Sequence, residues 1–150
     1  MRITPEECAD RFGFPGSNPQ FYVVMRNSPG LADAIGVPCN IYCHRAMLFP
    51  LASVFDGMFA RGLRFRSWDE CYNIRDRRSI VDPHDPPLIS EFSLHSWALA
   101  VDVNVQEPLD PSRSPEDVSV IRIFRAAGFY WGGAFERKDP AHFELRREKL

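Results

Sequence analysis

The chain has 150 residues, 45% of them apolar, among them 12 Phe, 4 Tyr and 3 Trp. A globular chain of this length forms one ordinary domain that buries roughly 70% of its unfolded surface, which excludes a disordered tail, a collagen-like rod and a coiled coil. The 18 basic and 20 acidic side chains leave a net charge of −2, which argues against a general nucleic-acid binder, since those carry a strong positive excess.

Met1 to about Gly36 is rich in Gly, Pro and Asn, with one strand-like run at Phe21-Tyr22-Val23-Val24-Met25. Asn40-Ile41-Tyr42-Cys43 reads as a short strand. From Pro50 to Arg61 the residues Leu51, Val54, Phe55, Met58 and Phe59 recur at helical spacing, and Gly62 is a suitable stop. Cys71-Tyr72-Asn73-Ile74-Arg75 reads as another strand, and Asp82–Pro87 and Glu107–Arg113 as Pro-rich surface loops. A well-punctuated helix then begins. Ser114 is its N-cap, Pro115 its first residue, Asp117 stands where a capping box would place it, and Gly128 ends it. Strands and helices interleave without a βαβ rhythm, so the expected fold is α+β with a largely antiparallel central sheet.

Two segments carry the chemistry. In Ala98 to Val105, period two puts Leu99, Val101, Val103 and Val105 on one face and Ala98, Ala100, Asp102 and Asn104 on the other. The second face is cleared of bulk and ends in a carboxylate, as the floor of a cleft would be. In Asp139 to Leu145, Phe143 and Leu145 alternate with His142 and Glu144, so a strand here also turns its polar residues outward. His95 lies on the turn entering the first strand. Two imidazoles and a carboxylate suit a three-ligand zinc site whose fourth position is open to water. Bound Zn²⁺ lowers the pKa of water from about 15.7 to about 7, and a carboxylate three residues before a ligating His, here Asp139, is placed to act as general base. The competing reading is ordinary: a hydrogen-bonded His–Asp pair, with Glu144 an exposed strand residue. The four cysteines (Cys8, Cys39, Cys43, Cys71) read as reduced, core-filling thiols, because the Cys39/Cys43/His44 cluster lacks a second Cys pair. His44 and His84 match no part of the metal pattern.

The pattern Ser93-x-His95-x-x-Ala98-x-Ala100-x-Asp102, followed by Asp139-x-x-His142-Phe143-Glu144, resembles the zinc peptidases that cleave peptidoglycan stem peptides. That family includes D-Ala-D-Ala carboxypeptidases and dipeptidases and phage L-alanyl-D-glutamate endopeptidases. Cys71-Tyr72-Asn73-Ile74-Arg75 and Gly128-Phe129-Tyr130-Trp131-Gly132-Gly133 are similar to the endopeptidase, endolysin-like branch. The resemblance spans roughly Ile41 to Leu145; residues 1–36 form an N-terminal extension outside it. It implies a Zn²⁺ cofactor held by His95, Asp102 and His142, Asp139 as catalytic base and Arg75 as stabiliser of the oxyanion, with Ser93 and Trp131 near the substrate. One departure stands out, Ala98 where the family has Gly; if the backbone there needs positive φ, a methyl group strains it by ~1 kcal/mol.

The expectation is thus a single catalytic domain over residues 1–150, monomeric, hydrolysing peptidoglycan stem peptides, with no nucleic-acid partner. No apolar run approaches the ~18 residues that span a bilayer, and Met1–Ala9 lacks the apolar stretch of a secretory signal. A protein made in the cytoplasm and acting on the cell wall after release, as phage lysis enzymes do, fits those features. The alternatives are a D-Ala-D-Ala carboxypeptidase or dipeptidase, and a non-catalytic, zinc-stabilised wall-binding or phage structural module.

Overall fold

Apolar periodicity sorts the chain into a sheet with one greasy and one polar face. In the computed structural model, which describes residues 1–74 and 88–150, the elements are α1 (Pro5–Phe12), β1 (Tyr22–Arg26), α2 (Pro29–Ile35), β2 (Asn40–His44), α3 (Leu48–Ala60), β3 (Trp68–Glu70), β4 (Ala100–Val103), α4 (Pro115–Ala127), β5 (Phe129–Trp131) and β6 (His142–Leu145). β1 and β2 form an antiparallel pair; the other strands make a second antiparallel sheet in the order β3-β4-β6-β5. The fold is α+β, as the interleaving of elements predicts.

In the larger sheet Val101 is paired with Phe143 and Asp102 with His142. Directly opposed residues of an antiparallel pair share a face. The face bearing Val101, Phe143 and Leu145 is buried under α4, whose Phe124 stacks on Phe143 at 3.8 Å between ring centroids. Phe55 of α3 joins Phe65 and Trp68 in the same aromatic core. The opposite face carries Ala100, Asp102, His142 and Glu144.

α4 begins as its punctuation predicts: Ser114 Oγ accepts the amide of Asp117, and Gly128 closes the helix at φ 105°. The capping box is not reciprocal. The Asp117 carboxylate accepts instead from the Arg66 guanidinium and the Asp110 amide, which ties the loop before the helix to β3.

Three expectations need correction. Residues 71–74 are not a strand; the pairing segment is Trp68–Glu70, which lies beside Asp102 and Val103. β4 is shorter than its alternation suggests, because Ala98 (φ 53°) and Asn104 (φ 55°) both adopt left-handed backbone that ends the extended run, leaving Val105 exposed. Phe59 points to solvent rather than into the core. Residues 1–36, which lie outside the resemblance, pack into the body of the fold: Ile3, Cys8 and Phe12 are buried, and the Trp97 indole donates to the Gly13 carbonyl. The expected loop at Asp82–Pro87 lies outside the described residues, as do Arg75 and His84.

Candidate metal centre

His95 sits in a single 3₁₀ turn, Leu94–Trp97, whose start is capped by Ser93 Oγ accepting the His95 amide at 3.3 Å. The turn closes at Ala98, whose left-handed conformation lets its N–H reach back to the Leu94 and His95 carbonyls and swings the chain into β4. The His95 imidazole is fully buried. Nδ1 lies 2.8 Å from the Cys71 carbonyl, and a carbonyl only accepts, so Nδ1 carries the proton. Nε2 is left with its lone pair, 3.0 Å from Asp102 Oδ1.

His142 is arranged in the mirror sense. Its Nε2 faces Glu144 Oε1 at 3.1 Å and its Nδ1 faces Asp102 Oδ1 at 3.2 Å. With Nε2–H donated to the carboxylate, Nδ1 turns a lone pair inward. In their neutral forms His95 and His142, together with Asp102, therefore aim three acceptors at one place, an arrangement that repels itself until a proton or a cation enters. The separations suit a cation: a tetrahedral zinc with bonds of about 2.0–2.1 Å has ligand–ligand edges of about 3.3–3.4 Å. All three ligand atoms lie within 4.8 Å of one another, and among the described residues no other group of three His, Cys, Asp or Glu converges in this way.

Protonation in the metal-free protein reflects the same convergence. Burial alone would depress the His142 pKa, but hydrogen bonds to Asp102 and Glu144 outweigh it and raise it to about 9. Burial would raise Asp102, yet its contacts with His142 and His95 hold it well below the ordinary carboxylate range. The cysteines stand apart. All four are free, and burial pushes Cys8 to about 12 and Cys43 to about 11, so these stay thiols rather than becoming thiolate ligands.

The site opens onto a groove of about 530 Å³ whose lining includes Ser93, Asp139, His142, Glu144, Lys138 and Arg2. Asp139 is exposed at its edge, at the head of a turn in which its carbonyl accepts the His142 amide. Trp131 is not part of this lining. Its indole donates to the Pro140 carbonyl at 2.9 Å, pinning the Asp139–His142 turn from behind. The next residue, Gly132, leaves room for the same turn, since a Cβ there would fall 2.3 Å from the Asp139 carbonyl oxygen and 3.1 Å from His142 Cβ. Of the residues singled out in the sequence, the structure brings His95, Asp102 and His142 together at one point, lines the adjoining groove with Ser93, Asp139 and His142, and sets Trp131 behind the Asp139–His142 turn.

Two residues at the site escape a reading of the sequence alone. Glu144 is 1% exposed, not the exposed strand residue that alternation suggests, and it receives a two-pronged ion pair from Arg2. Alternation signals only that Glu144 leaves the apolar face. Nothing local signals that a segment 142 positions away covers it.

Buried imidazoles, a carboxylate and an adjoining groove make a donor set that could hold a metal ion. The family model described as D-alanyl-D-alanine carboxypeptidase matches residues 89–145, the stretch that holds His95, Asp102, Asp139 and His142. The match supports the resemblance of this stretch to the zinc-dependent peptidases of that family. No curated protein matches it.

Proposed function

We propose that the chain is an endopeptidase of peptidoglycan stems, hydrolysing the L-alanyl–D-glutamate bond, with zinc held by His95 Nε2, Asp102 and His142 Nδ1. The observation that carries this reading is the convergence of three lone pairs whose partner atoms are already committed, His95 Nδ1 to Cys71 and His142 Nε2 to Glu144. Zinc, when bound, supplies Lewis acidity that makes water available as a nucleophile near neutral pH.

The protein's own groups do the rest. Asp139, on the same groove, takes a proton as the water oxygen bonds to the scissile carbonyl carbon. It returns that proton to the amine nitrogen as the C–N bond breaks. Arg75, which lies outside the described residues, is assigned by resemblance to the developing oxyanion, where a fixed guanidinium contributes most in the transition state. The Ser93 hydroxyl oxygen accepts the His95 amide and keeps its own proton to offer to substrate. Arg137 and Lys138 also border the groove and suit the carboxylates of an acidic stem peptide.

The endopeptidase preference rests on the Cys71–Arg75 and Gly128–Gly133 segments. The matched family's description favours a second reading, removal of the terminal D-alanine. No helix among the described residues is long and apolar enough to cross a membrane. The deciding experiment is digestion of purified peptidoglycan with and without chelator, followed by mass spectrometry. Chelator-sensitive fragments with new D-Glu amino termini support the endopeptidase. Loss of terminal alanine alone supports the carboxypeptidase.

A further inference from the structure

Glu144 is a buried carboxylate on the polar face of the sheet, beside a residue that the proposed function makes a ligand. Such a charge is costly without partners, and it has two. Oε1 faces His142 Nε2 at 3.1 Å and accepts from Arg2 Nη2 at the same distance; Oε2 accepts from Arg2 Nε at 3.0 Å. Arg2 is itself held from the other side, its guanidinium carbon 3.8 Å from the Phe135 ring centroid. The following residues, Ile3, Pro5, Cys8 and Phe12, are buried, so the Arg2 backbone is anchored to the body of the fold.

We propose that Arg2 and Glu144 form a positioning pair for His142, with Arg2 holding the Glu144 carboxylate in place so that it accepts the His142 Nε2 proton and leaves the Nδ1 lone pair for the metal. The proposal rests on the ligand set given under the proposed function. It makes the amino-terminal segment part of the metal centre. Arginine suits this role because its planar fork meets both carboxylate oxygens while lying flat on an aromatic ring; a lysine supplies charge but neither the fork nor the stacking. Both residues form part of the groove wall, but neither is assigned a part in the reaction itself. Their effect passes through the orientation and basicity of one imidazole, as for other hydrogen-bonded partners of metal-ligating histidines.

The test is a double-mutant cycle read by zinc affinity, measured by competition with a chromophoric chelator, in the wild type, Arg2→Ala, Glu144→Gln and the double variant. Arg2→Ala is expected to weaken zinc binding by about 10- to 100-fold, the range usual for such partners. In the Glu144→Gln background the same change should alter affinity less than about twofold, since Arg2 acts through the carboxylate. Arg2→Lys should recover part of the loss. In ¹⁵N spectra of the zinc-loaded wild type, His142 should show a protonated Nε2 and a coordinated Nδ1. Phe12→Leu, which loosens the same segment away from Glu144, should lower the melting temperature and leave zinc affinity unchanged; it separates positioning from general anchoring.

An Arg2→Ala effect of equal size with and without Glu144 would overturn the proposal, as would wild-type affinity in Arg2→Ala. If the wild type binds no stoichiometric zinc, the ligand assignment itself fails and this proposal falls with it. One zinc per chain with an unmoved Arg2→Ala variant sinks the positioning pair alone.

Discussion

Ala98 is an exacting point in the backbone of the candidate metal centre. It stands at φ 53° and ψ 36°, fully buried, three residues after His95 and just ahead of the strand that carries Asp102. Its carbonyl accepts the His44 amide, so the turn cannot drift without breaking a contact elsewhere. A left-handed L-residue costs about 1–2 kcal/mol. Replacing Ala98 with Gly removes that strain but gives back about 0.5–1 kcal/mol in unfolded-state entropy and about 0.8 kcal/mol for one buried methyl. The terms nearly cancel, so Ala98→Gly should change stability by no more than about 1 kcal/mol and leave zinc binding intact. That balance explains how alanine can stand where the family has glycine. Ala98→Val is different. A β-branched residue fits this conformation badly, and two extra carbons in a filled site add about 1–3 kcal/mol of overpacking. Urea unfolding should therefore show a loss of about 3 kcal/mol or more, with weakened zinc affinity because His95 moves with the turn. An Ala98→Val protein within about 0.5 kcal/mol of wild type would refute both the left-handed assignment and the reasoning built on it.

Gly132→Ala should displace the Asp139–His142 turn, because its new carbon meets the Asp139 carbonyl oxygen at 2.3 Å; a stability loss of about 2 kcal/mol or more and lower zinc affinity are expected from calorimetry and chelator competition. Asp139→Ala should keep one zinc per chain and an unchanged melting temperature while turnover on peptidoglycan falls by about 10²- to 10⁴-fold, the usual worth of a general base. His44, its ring packed by Phe12, Phe21 and Tyr22, is depressed by burial from 6.5 to about 4. The folded state thus favours the neutral ring, and that stabilisation is present above pH 6.5 and lost as pH falls towards 4. Up to about 3 kcal/mol should disappear across that window in urea melts, and His44→Phe should flatten the profile there.

Much of this site is legible along the chain, and the illegible parts have physical causes. Asp102 and His142 announce themselves by residue type and position on strands with one apolar face, and His95 and Asp139 by their spacing from those two. Their convergence depends on strand register, which sets Asp102 opposite His142 and which no local pattern encodes. The third strand is hard to locate because Tyr72 and Ile74 have higher β-propensity than Trp68-Asp69-Glu70. The Trp68–Glu70 segment wins because it pairs with β4 at the sheet edge. Alternation correctly turns Glu144 away from the core, but not into solvent, since the amino-terminal segment arrives from the far end of the sequence to cover it. Gly132 and Gly133 enter the sequence reading only through a resemblance; the packing of the Asp139 carbonyl against Gly132 becomes visible only in the fold.

X-ray absorption at the zinc edge, on protein loaded with one equivalent, probes the claim on which the rest depends. The account predicts a shell of nitrogen and oxygen at about 2.0–2.1 Å, including two imidazoles, that is lost in His142→Ala. A sulfur shell at about 2.3 Å, or a spectrum indifferent to that substitution, would contradict it.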